Sequence, residues 1–173
     1  MSTPAKRYFS YNEIHRTVAS LAKEIQASGF GPDVTVAIGT GGFIPARILK
    51  TYLGKPILTV GIKLYGEDNA IHGGPSKVQW IDEVERKLKG KRVLLVDEVD
   101  DTRTTLAYCL RELLSHGPAE IAVAVLHCKD KPKLDEIPAE VSRYWAGQHL
   151  EDIWVVYPWD AVDIDAHAAL AGE

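Results

Sequence analysis

At 173 residues the chain has the length of one domain, and with 46% hydrophobic and 25% charged residues it has a globular rather than a disordered composition. Twenty basic against 24 acidic residues leave a net charge of −4, which gives no electrostatic footprint for nucleic acid or an anionic membrane. No apolar run approaches the ~20 residues of a spanning helix, and the N-terminal residues carry no apolar signal core. Two cysteines without metal-type spacing, Cys109 and Cys128, suit a reducing compartment. The expectation is a cytoplasmic protein of one domain, residues 1–173.

In chain order, Ser10-Tyr-Asn-Glu13 is a capping-box pattern, and Ile14, Val18, Leu21, Ala22 and Ile25 follow at helical spacing up to a stop at Gly29. Val34 to Ile38 reads as a buried strand, and Ile44 to Leu53 as a helix with Pro45 in its first turn and Gly54 after its end. Pro56 to Leu64 is β-rich. Residues 66–79, with three glycines, Pro75 and few apolar residues, predict a mobile loop. Arg92 to Val96 predicts a strand, Thr104 to Ser115 a helix, and Ile121 to Leu126 a strand covered on both faces. Beyond them come a Lys/Asp/Pro segment, a β-like stretch near Tyr144, another at Trp154 to Tyr157, and a short helix over Val162 to Leu170. The alternation argues a mostly parallel central sheet with helices on both faces, whose ligands lie beyond the carboxyl ends of the strands.

Two strand ends carry the chemistry. Gly39-Thr-Gly-Gly42 lets backbone approach a ligand and leads into a helix whose free amides suit an anion. Ile44 breaks the dinucleotide fingerprint there, and taken alone the turn reads equally well as a tight strand-to-helix connection. After the third predicted strand comes Asp97-Glu-Val-Asp-Asp-Thr-Arg-Thr-Thr-Leu106. Four carboxylates within five residues repel unless a cation or a polyhydroxyl ligand sits among them. The hydroxyl-rich half, Thr102 to Thr105, opens a helix in the manner of a phosphate site. A phosphorylated sugar with Mg²⁺ has this polarity. The Val93-to-Glu98 stretch also matches a Walker B strand, but the chain has no phosphate loop of the form that reading requires.

These residues resemble the type I phosphoribosyltransferases. Val93 to Leu106 is similar to that family's signature for 5-phosphoribosyl-1-pyrophosphate (PRPP). Gly39 to Leu49, Asp97 to Leu106 and Tyr157-Pro-Trp-Asp160 look like the fungal-type hypoxanthine-guanine members. The resemblance implies that Asp97 and Glu98 bind the ribose hydroxyls directly or through Mg²⁺, that Asp101 is the general base near purine N7, and that Thr102, Arg103, Thr104 and Thr105 surround the 5′-phosphate. Thr40 and Gly41 fall in the pyrophosphate loop. Lys129 matches the lysine that donates to O6 of a 6-oxopurine, Trp154 the aromatic that stacks on the base, and Val155 a backbone contact. Asp160 matches a carboxylate near a second metal. Residues 66–79 would form a lid entered at Tyr65, and residues 129–165 a small C-terminal hood over the base. Two departures stand out: Thr40 where many relatives have Lys or Arg, and Arg103 where many have Gly, which sets a cation beside the 5′-phosphate.

The implied activity is Mg²⁺-dependent transfer of the phosphoribosyl group from PRPP to a 6-oxopurine (hypoxanthine, guanine or xanthine), by a cytoplasmic homo-oligomer with no nucleic-acid or membrane partner. The competing readings are a PRPP-binding regulator without catalysis, or a transferase for another base. Outside the resemblance, Lys129 belongs to a charged run and Trp154 to a core-like strand. Trp80, Trp145 and Trp159 are assigned to packing, both cysteines are expected to be buried thiols, and the six histidines show no metal spacing.

Overall fold

The computed structural model describes residues 5–64 and 74–173. Its strands are β1 (Lys6–Tyr8), β2 (Val34–Gly39), β3 (Ile57–Lys63), β4 (Ser76–Gln79), β5 (Arg92–Asp100), β6 (Glu120–Lys129), β7 (Val141–Leu150) and β8 (Trp154–Val156). Its helices are α1 (Tyr11–Ala27), α2 (Phe43–Leu53), α3 (Val84–Leu88), α4 (Thr104–Leu114) and α5 (Ile164–Ala171), with a 3-10 turn at Pro158–Asp160.

Six strands form the central sheet in the order β4-β3-β2-β5-β6-β7, all neighbours parallel except β3 and β4. Strand alternation divides the core. Ala37, Leu94, Val96, Ala122, Ala124 and Leu126 face a layer made by α1 and α2, including Ile14, Val18, Leu21 and Leu49. Val36, Ile38, Val93, Leu95, Val123 and Val125 face Leu88 of α3 and Leu106, Leu110 and Leu113 of α4. Burial on both faces is why the central strands read as continuous apolar runs. Helices thus cover both sides, as the sequence predicts. The chain steps from β2 outward to β3, then returns to the other side of β2 with β5. The carboxyl ends of β2 and β5 flank that reversal, and a ligand crevice opens there in open α/β sheets.

Several boundaries differ from the sequence reading. The predicted capping box is half made: Ser10 Oγ accepts from Glu13 N at 3.1 Å, while the Glu13 carboxylate pairs with Arg7 at 2.9 Å. β5 runs on through Asp97 to Asp100, and β6 through to Lys129, because the two strands stay in register as far as Asp100 and Cys128. Residues 76–79 are not loop but β4, antiparallel to β3. The rest of the expected lid, 66–73, and Tyr65 lie outside the described residues. The short α3 and β1 go unread in the sequence. β1 pairs in parallel with β8, and His167 of α5 donates its Nε2–H to the Phe9 carbonyl at 2.8 Å. No described helix is long and apolar enough to cross a membrane.

Between this small unit and the main sheet, His127 is fully buried, its ring 4.2 Å from Phe9 and its Nδ1 2.7 Å from the Tyr157 hydroxyl. Burial, helped by the Arg7 charge, holds its pKa down to about 3. An unfolded histidine titrates near 6.5, so between those values the unfolded chain binds more protons than the folded one. Stability contributed by neutral His127 is therefore full above pH ~6.5 and declines as pH falls toward 3. Denaturant unfolding at pH 7 and pH 4.5 should show a smaller acid loss in His127→Gln than in the unaltered protein; equal losses would assign the sensitivity elsewhere.

Candidate active site

The Gly39–Gly42 turn leaves β2 through a cis peptide at Gly39–Thr40 and passes under the end of β5. A Cβ on Gly41 would overlap the Glu98 carboxyl, and one on Gly42 would lie 2.7 Å from the Ile38 carbonyl oxygen, 2.8 Å from that of Val96 and 3.2 Å from Asp97 Cα. The two glycine positions let the turn and the acidic strand end touch, so the predicted pyrophosphate loop and the predicted ribose carboxylates form one surface.

Asp97 is buried, its Oδ1 accepting the Glu98 amide at 2.9 Å. Burial first, then the Glu98 charge, pushes its carboxyl well above the usual range. The Tyr157 hydroxyl donates to the Glu98 carbonyl at 3.3 Å; burial, then the charges of Glu98, Asp97 and Asp160, push its phenol up as well. Asp160 is tied to the same tyrosine, its amide donating to the Tyr157 carbonyl at 3.2 Å. Oxygen donors that repel one another as Asp97 and Glu98 do fit a hard divalent cation such as Mg²⁺.

Past β5 the loop turns into α4 at Arg103, which has a left-handed backbone, φ 72°. Thr102 and Thr104 face each other with hydroxyls 3.2 Å apart, and a cavity of about 160 Å³ at the start of α4 is lined by Asp97, Asp101, Thr102, Arg103 and Thr105. Arg103 differs from expectation. Its guanidinium turns back on buried Asp100, with Nε 3.0 Å and Nη2 2.8 Å from Oδ2, an oxygen that also accepts the Tyr144 hydroxyl at 2.8 Å. Arg103 lines the same cavity, and its ion pair ties the loop to Asp100.

Asp101 and Lys129 come together, with Oδ2 and Nζ 3.4 Å apart; the Lys129 side chain is only 10% exposed and that of Asp101 44%. Sequence reasoning missed two partners. Lys131 Nζ lies 2.8 Å from Asp101 Oδ1 and 3.0 Å from Asp152 Oδ1. Partial burial acts to raise the Asp101 carboxyl, but the Lys131 and Lys129 ammonium groups outweigh it and set it below the ordinary value. Lys131 lies past the end of β6 at Lys129, so no strand periodicity marks it in the sequence.

Trp154 has an exposed ring, 59% accessible, so the core reading of this residue is excluded. Its strand is held to the N-terminal segment by the Trp154 amide on the Ala5 carbonyl at 2.8 Å, with Val155 in register with Arg7. The tryptophans assigned to packing do pack: Trp159 stacks on Tyr157 at 4.4 Å, Trp145 lies 5.8 Å from Phe30, and Trp80 lies under the Lys77 ammonium at 4.5 Å. Both cysteines are buried free thiols. A larger hollow of about 670 Å³, between the end of α4 and residues 134–140, lies apart from these groups, and its charges Arg111 and Asp135 pair with each other at 2.8 and 3.0 Å.

An open parallel sheet with an anion turn, an acidic pair and a helix-start phosphate cradle at its reversal point defines a protein that binds a phosphorylated sugar. A family model described as the phosphoribosyl transferase domain matches residues 6–160. The hypoxanthine-guanine phosphoribosyltransferase of Saccharomyces cerevisiae is 39% identical, over 100% of this chain and 94% of its own length. Xanthine phosphoribosyltransferase 1 of the same yeast is 40% identical, over 99% and 97%. A crystal structure of a hypothetical protein from Neisseria gonorrhoeae with bound ppGpp superposes with a TM-score of 0.92 at 45% identity, covering 99% of this chain and 98% of that one. The chain belongs to the phosphoribosyltransferase family.

Proposed function

We propose that the protein transfers the 5-phosphoribosyl group of PRPP to N9 of a 6-oxopurine, forming IMP, GMP or XMP and releasing pyrophosphate. The observation that carries the reading is the Asp101–Lys129 pair; Asp152, two residues before the exposed Trp154, lies 3.7 Å from Lys129. A 6-oxopurine offers O6 as an acceptor and N7 beside it. An ammonium donates to O6 and has nothing to offer the amino group of adenine, while a carboxylate 3.4 Å away takes the neighbouring ring nitrogen's proton. The relatives support the class of base and do not rank its members, since hypoxanthine-guanine and xanthine enzymes are 39% and 40% identical. The ppGpp of the Neisseria structure carries a guanine and a 5′-phosphorylated ribose, the two halves of GMP.

The new bond joins N9 to ribose C1, and the bond from C1 to the pyrophosphate oxygen breaks with both electrons going to pyrophosphate. Asp97 and Glu98 face the positive charge that builds on the ribose, and the amides of Thr104 and Thr105 hold the 5′-phosphate. Asp101, ionised because two lysines face it, accepts the proton the purine gives up. Asp97 and Glu98 would hold Mg²⁺, with Asp160 near a second ion, and the metal when bound would neutralise charge on the leaving pyrophosphate. Residues 129–165 belong to this proposal as the hood of a single domain. Cytoplasmic residence and homo-oligomeric assembly also belong to it and rest on the family resemblance.

Calorimetry with GMP, IMP and AMP tests the assignment of the base pocket. GMP or IMP should bind in the presence of Mg²⁺ and AMP at least tenfold more weakly; equal binding of AMP contradicts the role given to Lys129. Trp154→Ala should weaken GMP binding by ~1–3 kcal/mol, the usual loss of one aromatic stack on a base. Its unfolding free energy should stay within ~0.5 kcal/mol, as expected for an exposed residue.

A further inference from the structure

Lys133 has no part in the chemistry described so far, yet its ammonium is fully committed. Nζ donates to three main-chain carbonyls: Asp100 at 2.8 Å, Asp101 at 2.9 Å and Lys129 at 2.8 Å. An ammonium has three N–H groups, so all are used. Its side chain is 16% exposed, and Asp100 Oδ1 lies 3.7 Å from the same nitrogen.

The position of this contact matters more than its number of bonds. β5 and β6 stay in register up to the pair Asp100–Cys128; Asp101 is the first residue past the end of β5, and Lys129 is the last residue of β6. These two carry the carboxylate and the ammonium that face the purine. Lys133 bonds to the carbonyls of both and so spans the two strand ends at the point where the backbone ladder stops.

We infer that Lys133 is a positioning residue that sets the spacing of Asp101 and Lys129, and through it the preference for a 6-oxopurine. The inference rests on the proposed function. The phosphate cradle has side-chain anchors of its own: Arg103 is tied to the Asp100 carboxylate at 2.8 Å, and the Thr102 and Thr104 hydroxyls lie 3.2 Å apart. Loss of Lys133 should therefore loosen the base-reading pair and leave the PRPP end in place. Displacements of about 1 Å at reacting groups can cost ~100-fold in rate.

The test compares Lys133→Met and Lys133→Arg with the unaltered protein, in steady-state kinetics with PRPP, Mg²⁺ and the preferred oxopurine or adenine. The methionine variant should lose about 10- to 100-fold in kcat/KM for the oxopurine, in line with such a displacement. Its KM for PRPP should stay within about threefold, the cradle's own anchors being untouched, and its selectivity over adenine should fall. Arginine, which can still donate to the carbonyls, should restore part of the loss. If the methionine variant does not fold, Lys133→Gln, with two amide donors, is compared in its place. Unchanged kcat/KM and selectivity overturn the inference. So does a loss shared by every base with a rise in KM for PRPP and no rescue by arginine, which marks a purely structural residue. Failure of the unaltered protein to turn over or bind any oxopurine or its nucleotide would instead overturn the proposed function, and this inference with it.

Discussion

Asp101→Ala is expected to lower turnover by about two or more orders of magnitude, the scale of a lost general base, with PRPP binding preserved. The carboxylate is the one acidic group of the strand end that faces two ammonium groups, Lys129 at 3.4 Å and Lys131 at 2.8 Å, and not the acidic pair or a backbone amide. It lies outside the phosphate cradle's anchors, so its removal leaves Thr102 to Thr105 in place. Its depressed pKa gives the result a second signature. A general base must be ionised, and Asp101 keeps its charge to lower pH than an ordinary carboxyl. The acid limb of kcat/KM for the purine should accordingly fall below the usual carboxylate range, and Lys131→Met should move that limb upward. Measured pH–rate profiles check both; an alanine variant with unchanged turnover removes Asp101 from its role.

Gly42→Ala is expected to damage the site more than any other small change in the turn. The added methyl meets only backbone: the carbonyls of Ile38 and Val96 and the Cα of Asp97. No side chain can swing away, so the ends of β2 and β5 must part. Overpacking of this kind costs ~1–3 kcal/mol, and the displacement falls on the surface shared by pyrophosphate and ribose. A loss of about 100-fold in kcat/KM for PRPP should accompany the lower stability, by the sensitivity of reacting groups to shifts of about 1 Å. Gly41→Ala should cost less stability, because its methyl meets the movable Glu98 carboxyl, while the displaced carboxylate still lowers kcat/KM for PRPP. Denaturant unfolding together with PRPP kinetics separates the two variants, and equal effects would contradict the geometry.

The central strands, α1, α2 and α4 were legible in the sequence because local signals and burial agree there. Ser10 does cap α1, Gly54 does end α2 in a left-handed conformation at φ 67°, and the run at Val93 to Val96 lies between two helix layers. The β1–β8 pair was not legible: three-residue strands carry no periodicity, and Arg7 and Val155 meet only through the fold. The acidic strand end was misread as loop because carboxylates disfavour strand, whereas pairing with β6 holds it extended to Asp100.

The same division holds in the site. Asp97 to Thr105 and Gly39 to Gly42 could be read because a strand, a turn and a helix start place their chemistry in consecutive residues. Lys131, Lys133 and Asp152 could not. In sequence they are members of a solvated charged run or a turn, and they acquire partners only when the ends of β5 and β6 come side by side. The pairing of Arg103 with Asp100 could not be read either, because the burial of Asp100 is a property of the packed sheet.

Spectrophotometric turnover with PRPP and Mg²⁺, offered hypoxanthine, guanine, xanthine and adenine in separate reactions, tests the account most directly. The account predicts turnover of at least one 6-oxopurine, with pyrophosphate as the second product and adenine inert. Mg²⁺-dependent PRPP binding without turnover of any base would contradict it and identify a PRPP-binding regulator. Turnover of adenine at a comparable rate would contradict the role of Lys129.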